Sequence, residues 1–197
     1  YKGDYAFYES FDGCDGKAGW SGSVADTDWD TKKLDNVWTK NGSAFLGDGY
    51  IRIGKKASSV TTPTIKVAGK AALTFKAGAW QGDNTKVKIE ISEGTLTYGD
   101  NAPENSVTVS PTQSEWGDYE MIITGTTSFT LTFSNVTTSY RFFLDEVMVK
   151  EIPATDVTLN EDEANVVEAS NNANVTLKRT LYNDGGWNTI CLPFSLT

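Results

Sequence analysis

The chain has 197 residues, 39% of them apolar and 12% aromatic, with a net charge of −9 and a pI near 4.5. This suits one or two globular domains with a real core, not a disordered chain. The acidity argues against nucleic acid and anionic membrane surfaces as partners, and no apolar run approaches the ~18 residues of a spanning helix, so no membrane insertion is expected.

The chain opens at Tyr1-Lys2-Gly3-Asp4 with no visible signal peptide, as a mature or excised chain would. Residues 5–11 read as a strand whose period-two alternation puts Tyr5, Phe7, Glu9 and Phe11 on one face. A carboxylate in an apolar row needs compensation by a bound cation, backbone N–H donors, or an Arg or Lys partner. Residues 12–36 form a long loop with Cys14, Trp20 and Trp29, packed down by its tryptophans. Strands follow at 50–54, with Ile51 and Ile53 opposite Tyr50 and Arg52, and at 71–79, with Leu73, Phe75, Ala77 and Ala79 on one face. Trp80 then falls on the face of Thr74 and Lys76. Residues 86–92 alternate Val87, Ile89 and Ile91 against Lys86, Lys88 and Glu90; a second long loop, 93–105, holds Tyr98; and 106–109 is a short strand. Residues 119–124 and 128–134 suggest a hairpin around Gly125-Thr126-Thr127. Residues 140–151 close the domain as one long strand, with Phe143, Asp145, Val147 and Val149 on one face. Asp145 is thus a second carboxylate in an apolar row.

No stretch has a sustained helical period. The expected fold is all-β: a two-sheet antiparallel jelly-roll β-sandwich over residues 1–152. Ile152-Pro153-Ala154-Thr155 reads as a linker, and residues 153–197 as that linker plus the start of a second small β domain. This small appended C-terminal β segment has strand-like stretches at 156–159, 166–168, 174–181 and 187–192. Cys14 and Cys191 fall in different domains and are read as inert thiols.

First and last strands are often neighbours in a sandwich, which would bring Glu9 near Asp145. Histidine is absent, so Ser-His-Asp and Cys-His catalysis and His-based zinc sites are excluded. A metal would be held by oxygen, which favours a structural Ca²⁺. Sugar rings need aromatic platforms with polar neighbours. Trp80, Trp29 and Tyr98 are the candidate platforms, with Gln81 and Asp83 beside them; the alternative is that the tryptophans cap the sandwich ends. Glu90 and Glu93 could be imagined as a glycosidase pair, but Glu90 reads as an ordinary solvent-face residue, and no enzyme is expected.

Three stretches carry a resemblance. They are Glu9-Ser10-Phe11-Asp12-Gly13-Cys14-Asp15-Gly16 with Trp20-Ser21-Gly22-Ser23, then Leu73-Thr74-Phe75-Lys76-Ala77-Gly78-Ala79-Trp80, then Arg141-Phe142-Phe143-Leu144-Asp145-Glu146-Val147. Together they resemble the jelly-roll modules of secreted Bacteroidetes-type proteins. More distantly they are similar to galactose-binding-like and carbohydrate-binding jelly rolls and to MAM-type adhesion domains. The resemblance implies a calcium ion joining the first strand, the next loop and the last strand, through Glu9 and Asp145 with Asp12 and Asp15. The chain departs from the disulfide-rich MAM pattern, since Cys14 alone lies in the domain. The expected function is non-catalytic binding of a neutral glycan by a module of a secreted or cell-surface protein, monomeric when isolated. The alternative is a structural spacer or adhesion module that binds a cell-surface protein or no ligand.

Overall fold

A computed structural model describes residues 5–22, 27–160, 162, 164 and 173–179. The chain divides into two compact units, Tyr1–Ile152 and Pro153–Thr197. The first is a sandwich of two antiparallel sheets. The large sheet runs, in spatial order, Thr95–Thr97, Gly117–Thr124, Ala71–Ala79, Phe142–Glu151, Ile51–Ile53, Ala44–Leu46, Thr27–Asp28. Phe7–Glu9 joins it as a further partner of Phe142–Glu151, so the first and last strands of the unit are neighbours. The small sheet runs Ser106–Val109, Val87–Ile91, Leu131–Asn135, Ser59–Thr61, Thr39–Asn41.

From Ile51–Ile53 onward the main strands alternate between the sheets, which is the jelly-roll path. The inferred hairpin is therefore corrected: Gly117–Thr124 lies in the large sheet and Leu131–Asn135 in the small one, while the intervening Ser128–Phe129 pairs with Ile65–Lys66. Both strands present apolar rows to one core, Met121 and Ile123 from one side, Leu131 and Phe133 from the other. Phe133 meets Phe75 edge-on across the sheets, with ring centroids 5.2 Å apart.

The long last strand carries a bulge. Its register against Ala71–Ala79 shifts between Asp145 and Met148, and Glu146 sits at φ 51°. The extra residue inverts the alternation. Phe142 and Leu144, then Val147 and Val149, face the core, whereas Phe143 belongs to a separate cluster on the outer face and Asp145 follows its side. Phe143 and Asp145 thus do not share a face with Val147 and Val149, as strict alternation predicts.

In the second unit, Thr155–Asn160 and Ala173–Lys178 pair in parallel, from Thr155↔Ala173 to Asn160↔Lys178. The strands expected at 166–168 and 187–192, and Cys191, lie outside the described residues. No helix among the described residues is long and apolar enough to cross a membrane.

Candidate functional site

Glu9 is fully buried, and N–H donors compensate it. Its Oε1 accepts from the backbone N–H of Asp35 at 2.9 Å and of Phe11 at 3.4 Å. Its Oε2 accepts from the Asn36 backbone at 2.9 Å, Asn36 Nδ2 at 3.2 Å and the Trp38 indole Nε1 at 2.9 Å. An oxygen pair ringed by N–H groups suits a carboxylate and repels a cation. The donor set therefore does not fit Glu9 as a calcium ligand, and the carboxylate instead pins residues 35–38 to the first strand. Asp15 is exposed and paired with Lys33 Nζ at 2.7 Å. Asp12 is exposed. Among the described residues no three His, Cys, Asp or Glu side chains converge as a metal-ligand group. Cys14 is buried without a disulfide partner; its thiol is pushed up to about 12, first by burial and then by the neighbouring Glu9, Asp15, Asp145 and Asp35.

Asp145 is half-buried at the bulge, where its Oδ1 accepts from the Glu146 N–H at 2.8 Å. Its carboxyl is pushed up to about 6 from an ordinary 3.8, mainly by burial; Glu146 and Asp12 also raise it, while the Glu146 N–H and Lys76 oppose. An acid whose folded value exceeds its unfolded value stabilises the fold below the unfolded value and loses that contribution as pH rises through the folded one. The window here is 3.8 to about 6. Asp145→Asn keeps the Oδ1 acceptor and removes the charge. In metal-free buffer it should stabilise the unit by about 1–2 kcal/mol at neutral pH, the full shift being discounted for partial exposure. The two proteins should converge in thermal midpoint near the lower end of the window. A destabilised Asp145→Asn at neutral pH in EDTA would contradict this.

Trp80 lies on the outer face of the large sheet, the side of Thr74 and Lys76, but it is not an open platform. It is 7% exposed. One face stacks on Phe143 (centroids 5.8 Å, 9° between planes), and the Arg141 guanidinium lies over the ring at 4.0 Å. Asp83, also buried, accepts from Arg141 Nε at 2.8 Å, Nη2 at 3.0 Å and the backbone N–H at 2.9 Å. It anchors Arg141 and is not a sugar contact. Gln81 is exposed, and its backbone N–H donates to the Trp20 carbonyl at 3.0 Å. Trp20, Trp116, Tyr50 and Phe45 complete this outer cluster. It closes so tightly over Gly78 that a Cβ there would stand 2.5 Å from the Trp20 ring. Trp29 and Tyr98 are half-buried against the main core, beside Thr27–Asp28 and Thr95–Thr97, which are opposite edges of the large sheet. The three expected platforms therefore do not converge. Large apolar rings gain more from sealing the sandwich than from facing water.

The aromatic side chains most open to solvent, among the described residues, are Tyr5 (43%) and Tyr8 (37%). Their rings lie 5.5 Å apart. Tyr8 borders a groove of about 540 Å³ on the outer face of the large sheet. Two rungs of cross-strand neighbours pave it. One reads Tyr8↔Met148↔Thr74↔Glu120, the other Lys76↔Asp118, with Asp145 opposite Lys76 but outside the groove's lining. Glu146 projects at the bulge, where its Oε2 accepts from the Tyr8 hydroxyl at 2.5 Å, and this bond, with burial, holds the hydroxyl above the usual tyrosine range. Carboxylates at Glu120, Asp118 and Glu146 can accept hydroxyl protons. Lys76 and Thr74 can donate, and Tyr8 and Met148 offer apolar surface. Sequence reading passed over Tyr8 because it weighted tryptophans. The signal was the outward position of Tyr8 between inward Phe7 and Glu9. Glu90 is paired with Lys88 Nζ at 2.9 Å, and neither it nor Glu93 lines this groove.

No protein-family model matches the chain, and no curated protein matches it. Solved structures similar to it include the CBM22-1 xylan-binding domain of Paenibacillus barcinonensis Xyn10C, at 12% identity and TM-score 0.47, covering 75% of this chain and 94% of that one. The C-terminal family 22 carbohydrate-binding module of Clostridium thermocellum Xyn10B is similar at 12% identity and TM-score 0.45, covering 75% and 92%. The K3 cleaved adhesin domain of Lys-gingipain from Porphyromonas gingivalis is similar at 13% identity and TM-score 0.46, covering 74% and 98%. At such identities and TM-scores, the functional argument rests on this chain's own residues.

Proposed function

We propose that residues 1–152 form a non-catalytic glycan-binding module of a secreted or cell-surface protein, and that a neutral oligosaccharide lies in the groove beside Tyr8. The observation that carries this reading is that Tyr8, one of the two aromatic side chains most open to solvent among the described residues, borders a groove lined by the hydrogen-bonding side chains of Thr74, Lys76, Asp118, Glu120 and Glu146. A sugar ring would set its C–H face on Tyr8 and share its hydroxyls among Glu120, Asp118, Glu146 and Lys76. Affinity electrophoresis and calorimetry against a panel of neutral polysaccharides test it. At least one should bind, and Tyr8→Ala should weaken it about tenfold or more, as loss of a central aromatic anchor does. The reading fails if no neutral glycan binds, or if Tyr8→Ala and Glu120→Gln both leave affinity unchanged.

A structural Ca²⁺ is the second part of the proposal, held on the Asp145 and Asp12 side of the bulge and not by Glu9. Two carboxylates would leave the remaining oxygen positions to carbonyls and water. Calcium should raise the thermal midpoint of the native protein, and Asp145→Asn should abolish that rise. In EDTA the same substitution stabilises, so the two effects have opposite signs and separate cleanly.

A further inference from the structure

The groove beside Tyr8 is built without a loop. Each of its described lining residues belongs to one of four strands, Phe7–Glu9, Phe142–Glu151, Ala71–Ala79 and Gly117–Thr124. These are successive neighbours in the large sheet, so the groove runs across the strands and not along one. The rung from Tyr8 through Met148 and Thr74 to Glu120 spans it. Three steps between strands give it a length of about 14 Å, that of about three sugar units in a linear chain. The next rung, Lys76 and Asp118, lies about 7 Å further along the strands, so the floor is about one sugar chain wide.

Both ends of the spanning rung stand at an edge of the sheet. Phe7–Glu9 pairs with Phe142–Glu151 and, among the described residues, with no other strand. Asn36 Nδ2 donates to the Tyr8 carbonyl at 2.7 Å, yet neither Asn36 nor Val37 lines the groove. At the other end, Gly117–Thr124 meets Thr95–Thr97 only through Ile122, Ile123 and Thr124. Beside Asp118 and Glu120, both exposed, it has no outer partner strand among the described residues. A pocket for a chain end needs a wall across one mouth, and the described lining supplies none. Tyr5 extends the aromatic surface past the floor. It is 43% exposed, its ring lies 5.5 Å from that of Tyr8, and it stands outside the lining.

We infer that the groove takes an internal stretch of a linear polysaccharide and not a chain end. The chain crosses the sheet from the Glu120 edge to the Tyr8 edge and leaves over Tyr5, where a further unit sets its C–H face. This rests on the glycan reading of the groove and adds to it the class of glycan, its direction across the strands, a span of about three units within the groove, and Tyr5 as an outer subsite.

The experiment uses the full chain with soluble xylan, β-1,4-galactan and hydroxyethyl cellulose, and with oligosaccharides of two to six units from the same backbones. Calorimetry gives the affinity for each oligomer, and analytical ultracentrifugation gives the number of protein copies bound per polymer chain of known length. Affinity should climb about tenfold or more between two and four units and then level off. Several copies should load onto one polymer chain. Tyr5→Ala, at an exposed position, should weaken the four-unit oligomer about threefold or more and leave the three-unit oligomer unchanged. Tyr8→Ala should weaken both. Three results would each overturn the inference while the groove reading stands: a two-unit sugar binding as tightly as the longer ones, a single copy per polymer chain at saturation, or Tyr5→Ala with unchanged affinity at every length. If none of the three backbones binds, the inference fails, and the groove reading fails with it only when the wider panel of neutral polysaccharides is silent too.

Discussion

Glu9→Gln is expected to destabilise the sandwich unit by about 3–5 kcal/mol, as loss of one partner from a buried charged network does. For a domain of this size that lowers the thermal midpoint by roughly 10 °C. The cause is local. Five N–H groups converge on two carboxylate oxygens. Glutamine keeps one acceptor and turns an NH₂ toward donors that need an oxygen. If the NH₂ takes the Oε2 position, it confronts the Asn36 N–H, the Asn36 side-chain amide and the Trp38 indole. If it takes the Oε1 position, it confronts the Asp35 and Phe11 backbones. Neither flip satisfies the set. Thermal and urea unfolding of the native protein and the variant measure the loss, and a ΔΔG below about 1 kcal/mol would show that these donors do not depend on the charge.

Asp83→Ala is the second large effect, at about 3–4 kcal/mol, because it strands Arg141 in a partly covered site. The side chains of Arg141 and Asp83 are 19% and 10% exposed, so water replaces the pair poorly. Asp83 also accepts from the Arg141 backbone N–H, which fixes the start of the last strand. Released, Arg141 should swing off Trp80 and open that ring to water. A red shift in tryptophan emission should therefore accompany the fall in midpoint. Asp83→Asn should lose less, since it keeps an oxygen for the backbone donor. An unchanged midpoint in Asp83→Ala would mean that stacking alone holds Arg141.

Much of the fold was legible because extended backbone alternates its side chains whatever surrounds it. Leu73, Phe75 and Ala77, and Val87, Ile89 and Ile91, face the core as their spacing predicts. The neighbouring first and last strands followed from sandwich architecture. Alternation does not say which sheet a strand joins, so residues 119–124 and 128–134 read as a hairpin although they lie across the core from each other. Nor does it reveal a bulge. One added residue at Glu146 moved Asp145 to the face opposite Val147 and Val149.

The site was less legible for a related reason. The sequence flagged Glu9 as a carboxylate needing compensation, and listed N–H donors among the possibilities. The donors at Asp35, Asn36 and Trp38 lie 26 to 29 positions away, beyond the reach of any local rule. Trp80 was placed on the correct face, but its cover comes from Arg141 and Phe143, more than sixty positions further on. Composition, charge, strand faces and the all-β class are sums over local preferences, and the sequence by itself determined them. Which carboxylate is satisfied, which ring is covered and which charges share a concavity were decided only by the tertiary structure, because each depends on groups that distant strands bring within a few ångströms of one another.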